Sequence, residues 1–332
     1  MHNHGLLVQE QGATTQAAAP HRWRGVADYV SIARPDHWFK NVFMLPGAAL
    51  AISLGAPVDG GALLNLLTAV VSTCCIASAN YTINEWLDAK FDRHHPLKRT
   101  RPSATGRIRP ELVFLQWLGL AAAGLGLALS LSPHFLAAST ALLAMGIAYN
   151  VQPLRTKDRP FLDALSESVN NPLRFILGWS ALAPDQFPPS SALLAYWMGG
   201  AFLMTVKRYA EYRFIGDPER AGRYRQSFKF YTENSLLLSA FFYALMSAFF
   251  LGVFLVKYRI EFILTLPFFS VLFVWYLQIG LRVGSVSQTP EKLYKEGAFI
   301  SFVLFLALLV AALFFVDMPW LDILVSYHAL SS

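Results

Sequence analysis

Nine apolar stretches follow one another along this 332-residue chain, and they constrain its fold more than any other feature. They cover about residues 38–54, 60–82, 111–131, 134–149, 161–183, 191–207, 234–256, 261–281 and 297–316. A helix needs roughly 20 apolar residues to cross a bilayer, so the repetition predicts an all-α, polytopic membrane protein with nine transmembrane helices. Charged residues make up only 14% of the chain, against about 25% in an ordinary soluble domain. Such a composition excludes a disordered chain, a fibre and a disulfide scaffold. Cys74 and Cys75 are neighbours inside an apolar run and read as small membrane-helix residues rather than a bridge. Residues 1–28 read as a polar, disordered cytoplasmic tail without the apolar core of a secretion signal, 29–320 as the membrane domain, and 321–332 as a C-terminal tail.

Charge sets the expected orientation. Residues 1–37 and the connections after the second, fourth, sixth and eighth stretches hold 23 of the 27 Lys and Arg residues. The intervening connections hold only Lys257 and Arg259. By the positive-inside rule the N-terminus and the basic connections face the cytoplasm, and the C-terminus lies outside. A basic face split among membrane loops, without a nucleic-acid motif, argues against a nucleic acid partner. It suits anionic membrane lipids and phosphorylated substrates.

Acidic and amide residues recur at helical spacing among these cations. Asn84, Asp88 and Asp92 fall four residues apart at the end of the second stretch, so they drift only about 40° per step and share one helix face. Hard oxygen ligands at that pitch suit Mg²⁺, which prefers carboxylates, water and substrate phosphates. The competing reading is a solvated helix end, but ionisable groups at membrane depth are expensive and are usually functional. Arg93, Lys98, Arg99 and Arg101 follow in a Pro-rich loop and can neutralise phosphate oxygens. In the second half of the chain Arg155 and Lys157 precede a stripe of Asp163, Glu167, Asn171 and Arg174, which must face protein or water. Lys207, Arg208, Tyr209 and Glu211 end the sixth stretch, where an interfacial anchor is an equally good reading for each residue taken singly. Lys40 and Asn41 sit just inside the first stretch, where Lys40 can snorkel to the interface and Asn41 cannot.

These residues carry a resemblance to a known family. Nine spans with an N-x-x-x-D-x-x-x-D ladder after the second resemble the UbiA superfamily of intramembrane prenyltransferases. Three motifs are similar to its decaprenyl-phosphate phosphoribosyltransferase branch: Arg34-Pro35-x-x-Trp38-x-Lys40-Asn41, His95-Pro96-x-Lys98-Arg99-x-Arg101-Pro102 and Lys207-Arg208-Tyr209-Ala210-Glu211. The likeness runs from about residue 30 to 320. It implies helices around a central cavity opening to the cytoplasm, in the inner membrane of a bacterial cell. It further implies a polyprenyl phosphate acceptor, a 5-phosphoribosyl 1-diphosphate donor and Mg²⁺ on Asn84, Asp88 and Asp92, and it leaves a homo-oligomer open. Two departures stand out. Glu85 replaces the Asp that usually follows the ladder's Asn, and the second Asp-rich motif expected after the sixth span is missing, with Lys207, Arg208 and Glu211 in its place. Cations in that region suit a donor with an additional phosphate. The stretch from Pro153 to Asp163 also resembles members that prenylate aromatic or chlorin acceptors.

The chemistry implied is a glycosyl transfer through an oxocarbenium-like transition state, with negative charge building on the leaving diphosphate. Lys40, Arg174, Lys207 and Arg208 are the candidates to offset repulsion by the acceptor phosphate. Arg174, about three turns into its span, should have a partner. Glu167, two turns earlier, is the expected one, either as an internal ion pair or through a shared phosphate. A prenyltransferase is the second reading. A transporter is a distant third, because no inverted repeat or pair of broken helices is visible.

Overall fold

A computed structural model of the chain describes residues 25–324 apart from 259, 283, 289 and 314. The terminal tails expected over 1–28 and 321–332 fall largely outside the described residues, as do Arg22, Arg24 and Arg259. Among the described residues every regular element is a helix. In order they are α1 (Val26–Ala33), α2 (Leu45–Ser53), α3 (Gly60–Asp92), α4 (Pro110–Leu129), α5 (Pro133–Asn150), α6 (Leu162–Ser168), α7 (Asn170–Ser180), α8 (Ser190–Ile215), α9 (Pro218–Tyr224), α10 (Glu233–Tyr258), α11 (Leu266–Leu281) and α12 (Gly297–Leu313), joined by short 3₁₀ segments.

Each expected apolar stretch falls on one or two helical elements, and these differ in kind. Among the described residues four helices are long and apolar enough to cross a membrane: α3, α4, α10, and the continuous Ile260–Leu281 that ends in α11. Helix α12 is a shorter apolar helix of 17 residues. Stretches one and five are not single α-helices. The first is a 3₁₀ segment, Pro35–Met44, running into α2, and the fifth breaks at Val169 into α6 and α7. Prolines sit at both places, Pro35 and Pro46 in the first and Pro172 in the fifth, where a missing N–H and a ring clash interrupt the helical ladder.

The ends follow local chemistry. The Asp59 carboxylate accepts from the Ala62 N–H and starts α3, and the Ser132 hydroxyl accepts from Phe135 and starts α5. Helix α8 stops at Gly216, whose φ of 71° is the left-handed cap conformation. Helix α3 has 33 residues, about 50 Å at 1.5 Å per residue, which exceeds a hydrocarbon core of about 30 Å. Its last three turns carry Asn84, Asp88 and Asp92. Ion pairs and hydrogen bonds draw the end of α3, the end of α5, the start of α6, the end of α8 and the 225–231 segment together at that same end of the bundle.

Helix α3 packs along α4 and α5, α8 along α10, and α2 against α7. Close approach of α2 and α7 rests on two glycines. A Cβ on Gly47 would lie 2.0 Å from the Phe175 carbonyl oxygen, and one on Gly178 would lie 2.0 Å from that of Met44. Small residues at such crossings replace the hydrophobic drive that lipid removes. Gly178→Val should therefore separate the pair and lower the melting temperature in detergent, at a cost of about 1–3 kcal/mol or more. Gly126→Val, at a site with nothing within 4 Å, should leave it unchanged. Equal melting temperatures for the two variants would contradict this packing.

Candidate active site

The ladder on α3 forms as the spacing predicts, and each rung has partners from another element. Lys157 Nζ donates to Asp88 Oδ1, to Asn84 Oδ1 at 3.2 Å and to Asn150 Oδ1 at 2.6 Å. Arg155 reaches the same Asp88 oxygen at 3.1 Å, and Asp158 and the Asn150 carbonyl hold its other donors at 2.8 and 2.7 Å. Arg101 pairs with Asp92 at 2.7 Å. A cleft lined by Asp88, Phe91, Asp92, Arg155, Lys157, Asp158, Tyr224 and Arg225 opens between these groups. Burial pushes the Lys157 ammonium down to about 8 while the Asp88 carboxylate pulls the other way.

Glu85, one residue from Asn84, points elsewhere. Arg34 holds its carboxylate with donors at 3.0 and 3.3 Å, and Ser103 adds a bond at 3.4 Å. The longer carboxylate thus fastens the N-terminal segment and the 98–106 loop to α3, about 100° around the helix from Asn84.

A second network is centred on Arg208, which is 1% exposed. Its guanidinium meets Glu167 directly, Asp163 at 3.4 Å and Glu211 at 3.6 Å. Asp163 also accepts from Tyr231 at 2.6 Å and Ser227 at 3.0 Å, and Glu167 accepts from Tyr149 at 2.8 Å. Glu211 accepts from Lys98 at 2.6 Å and from Tyr224 at 2.9 Å, with His95 Nε2 at 3.6 Å. Burial disfavours the Lys98 ammonium, yet Glu211 beside it holds its pKa above the ordinary lysine value. Lys207, next to Arg208, is only half-buried and lies 3.9 Å from Glu167.

A third group lies where the 35–44 segment crosses α3, fixed there by Trp38 Nε1 donating to Ser78 at 2.8 Å. The His37 Nδ1 accepts from Lys40 Nζ at 3.0 Å, and Lys40 and Arg34 lie 5.8 and 6.0 Å from the Tyr81 ring centre. Burial, followed by the charges of Lys40, Arg34, Lys207 and Arg101, holds the His37 imidazole down to about 2.

The expected pairing of Glu167 with Arg174 takes another form. Arg174 Nε donates to Asn41 at 3.0 Å and its NH1 to the Asn170 carbonyl at 3.4 Å, while Glu167 meets Tyr149, Arg208 and Lys207. The break at Val169 divides the stripe between α6 and α7. Asn171 packs against Gly200, where an added Cβ would lie 2.2 Å from its amide nitrogen. Tyr209 turns toward Glu233, to which its hydroxyl donates at 3.3 Å. Arg93 and Arg99 are exposed, with Arg93 donating to the Ala104 carbonyl.

Groups at the site outside the residues read from the sequence include Arg34, Tyr149, Asn150, Asp158, Tyr224 and Arg225. Arg225 is read in the sequence only as loop charge. It lines the cleft, with NH1 3.4 Å from the Tyr149 hydroxyl and 3.8 Å from Asp163. Asn150 ends an otherwise apolar stretch, and that was the one signal available for it.

Among the described residues no three acidic, His or Cys side chains converge as a ready-made metal cage. Mg²⁺, however, is usually held by one or two carboxylates plus water and substrate phosphates. Asp88 and Asp92 sharing one cleft fit that mode.

The sequence model of the UbiA prenyltransferase family matches residues 42–303, and the chain belongs to that family. Together with the apolar helices this defines an integral membrane transferase. The chain is 32% identical over 214 residues to decaprenyl-phosphate phosphoribosyltransferase of Mycobacterium tuberculosis, covering 64% of this chain and 68% of the relative. It is 31% identical to the enzyme of the same name from Mycolicibacterium smegmatis, covering 64% of each. The fold is similar to a UbiA homologue from Archaeoglobus fulgidus solved with DMAPP and Mg²⁺, with a TM-score of 0.66 and 21% identity over 86% of this chain and 98% of that one.

The geometry separates two neighbours that share one motif. Arg208→Met leaves the buried carboxylates of Asp163 and Glu211, and half-buried Glu167, without their common cation and should cost about 3–5 kcal/mol of stability, seen as a large fall in melting temperature or loss of monodisperse protein. Lys207→Met should fold normally and weaken phosphate-substrate binding roughly 10- to 150-fold, the value of one charge-assisted contact. A stable Arg208→Met variant would refute the hub.

Proposed function

We propose that this protein transfers a 5-phosphoribosyl group from 5-phosphoribosyl 1-diphosphate to a polyprenyl phosphate in the membrane, releasing diphosphate. The observation that carries this reading is the presence of two separate cationic groups along α3. Arg155, Lys157 and Arg225 line the Asp88–Asp92 cleft, and Arg34 and Lys40 lie over the ring of Tyr81, with Lys40 Nζ 3.0 Å from His37. Two anionic substrates need two such groups, whereas transfer of a prenyl diphosphate to a neutral acceptor needs one. The names of the mycobacterial relatives support the same choice.

On this reading the donor diphosphate lies in the cleft. Mg²⁺ bound there would offset the charge that grows on the leaving group. Arg155, Lys157 and Arg225 neutralise the remaining phosphate oxygens and keep the leaving group oriented. Lys40 and Lys207 hold the acceptor phosphate against its repulsion from the donor. An anionic acceptor needs little general-base help, and the reaction requires no covalent enzyme intermediate. Its polyprenyl chain extends between apolar helices into the bilayer. We further assign all nine apolar stretches to the membrane, residues 29–320 to one domain, and the basic connections with the site to the cytoplasmic face of the inner membrane, as the charge bias supports.

A second reading is supported by the structural likeness to the DMAPP-bound homologue: transfer of a prenyl group to an aromatic or lipid acceptor. Membranes containing the protein, given labelled 5-phosphoribosyl 1-diphosphate with polyprenyl phosphate, should yield a labelled lipid, and labelled prenyl diphosphate should yield none. Asp88→Asn should fold but lose activity by at least about 10²–10³-fold. Label entering lipid only from prenyl diphosphate would overturn the proposal in favour of the second reading.

A further inference from the structure

The Lys157 ammonium sits among three side-chain oxygens, from Asn84, Asp88 and Asn150. Two of the three are the ligands that the metal reading assigns to Mg²⁺. Lys157 is buried, and its carbonyl-rich surroundings leave it well satisfied where it is. A divalent cation and an ammonium cannot both occupy these oxygens, because like charges at ligand distance repel strongly and each oxygen would have to serve both. Arg155 is in a different position. Asp158 and the Asn150 carbonyl fasten it, so it can keep its contact with Asp88 from the side. Lys157 has a long, flexible stem, and its cage opens on the cleft that Arg155 and Arg225 also line.

We infer that Lys157 is a resident cation that competes with the divalent metal for Asn84 and Asp88, and that it leaves them only when a diphosphate in the cleft accepts its ammonium. This rests on the metal–diphosphate part of the proposed function and not on which group is transferred. Metal and diphosphate then load together, each raising the other's affinity by the same factor. The protein holds little metal without its donor, and Lys157 becomes a phosphate ligand at the moment the metal arrives. Lys157 is thus a positioning residue for metal loading as well as a substrate contact.

The test uses Mn²⁺, a paramagnetic stand-in for Mg²⁺, titrated into the purified full-length protein in detergent without any diphosphate, with free Mn²⁺ read by electron paramagnetic resonance. Wild type should bind weakly. Lys157→Met should bind Mn²⁺ at least about tenfold tighter, within the range of ordinary coupling between sites. Asn150→Ala, which removes one cage oxygen and leaves the metal ligands intact, should shift affinity in the same direction by less, and it serves if Lys157→Met does not fold. Adding Asp88→Asn to Lys157→Met should abolish the gain. Unchanged Mn²⁺ affinity in Lys157→Met and Asn150→Ala, with Asp88→Asn still inactive, would overturn the competition and leave the proposed function standing. A gain that persists with Asp88→Asn would place the metal elsewhere and refute the metal assignment itself.

Discussion

A carboxylate or guanidinium carried to the end of a membrane helix has to meet an opposite charge before the surrounding helices close on it, since neither lipid nor a dry protein interior solvates it. In this protein that requirement organises one whole end of the bundle. Arg208 gathers Asp163 from α6, Glu167 from the same helix and Glu211 from its own. Glu211 in turn holds Lys98 from the loop after α3, and Arg34 ties α3 to the N-terminal segment through Glu85. The helix ends are thus joined by ion pairs beside the apolar cluster of Tyr209, Ile215, Tyr224, Phe228 and Tyr231. The loops that carry the remaining cations are brought over the cleft by the same contacts.

That network also explains why the site is polar yet well defined. Charges paired with one another, such as those around Arg208, are committed to structure. Those facing the cleft, at Asp88, Asp92, Arg155 and Lys157, are paired but reach a ligand without leaving the protein. Transfer chemistry on phosphorylated substrates needs such a division. A rigid frame of paired charges keeps a smaller set of exchangeable ones in place, and preorganised charge stabilises a leaving diphosphate better than water does.

The apolar helices and the shared helix face of Asn84, Asp88 and Asp92 are legible in the sequence, because each follows from a local pattern along one segment. The sequence does not reveal partners far apart in the chain. Arg34 and Glu85 are 51 residues apart, and Lys98 and Glu211 are 113 apart. As one continuous helix the stripe from Asp163 to Arg174 pairs Glu167 with Arg174. In the structure they meet different neighbours, Arg174 the Asn41 side chain and Glu167 the guanidinium of Arg208. Asn150 and Tyr149 lacked any periodic signal and became visible only when α5 met the 155–158 turn. Local patterning shows which residues share a face, and tertiary contact decides what that face meets.

The account depends most on Asp88 and Asp92 holding a divalent cation jointly with a diphosphate. The most direct measurement is the anomalous scattering of Mn²⁺ in crystals of the full-length protein grown with inorganic diphosphate. The account predicts a peak within ligand distance of both carboxylates, diphosphate density in the cleft beside Arg155 and Arg225, and the Lys157 ammonium moved from Asn84 to a phosphate oxygen. Diphosphate bound in the cleft without a metal peak at Asp88 and Asp92, or a peak at another cluster, would contradict it.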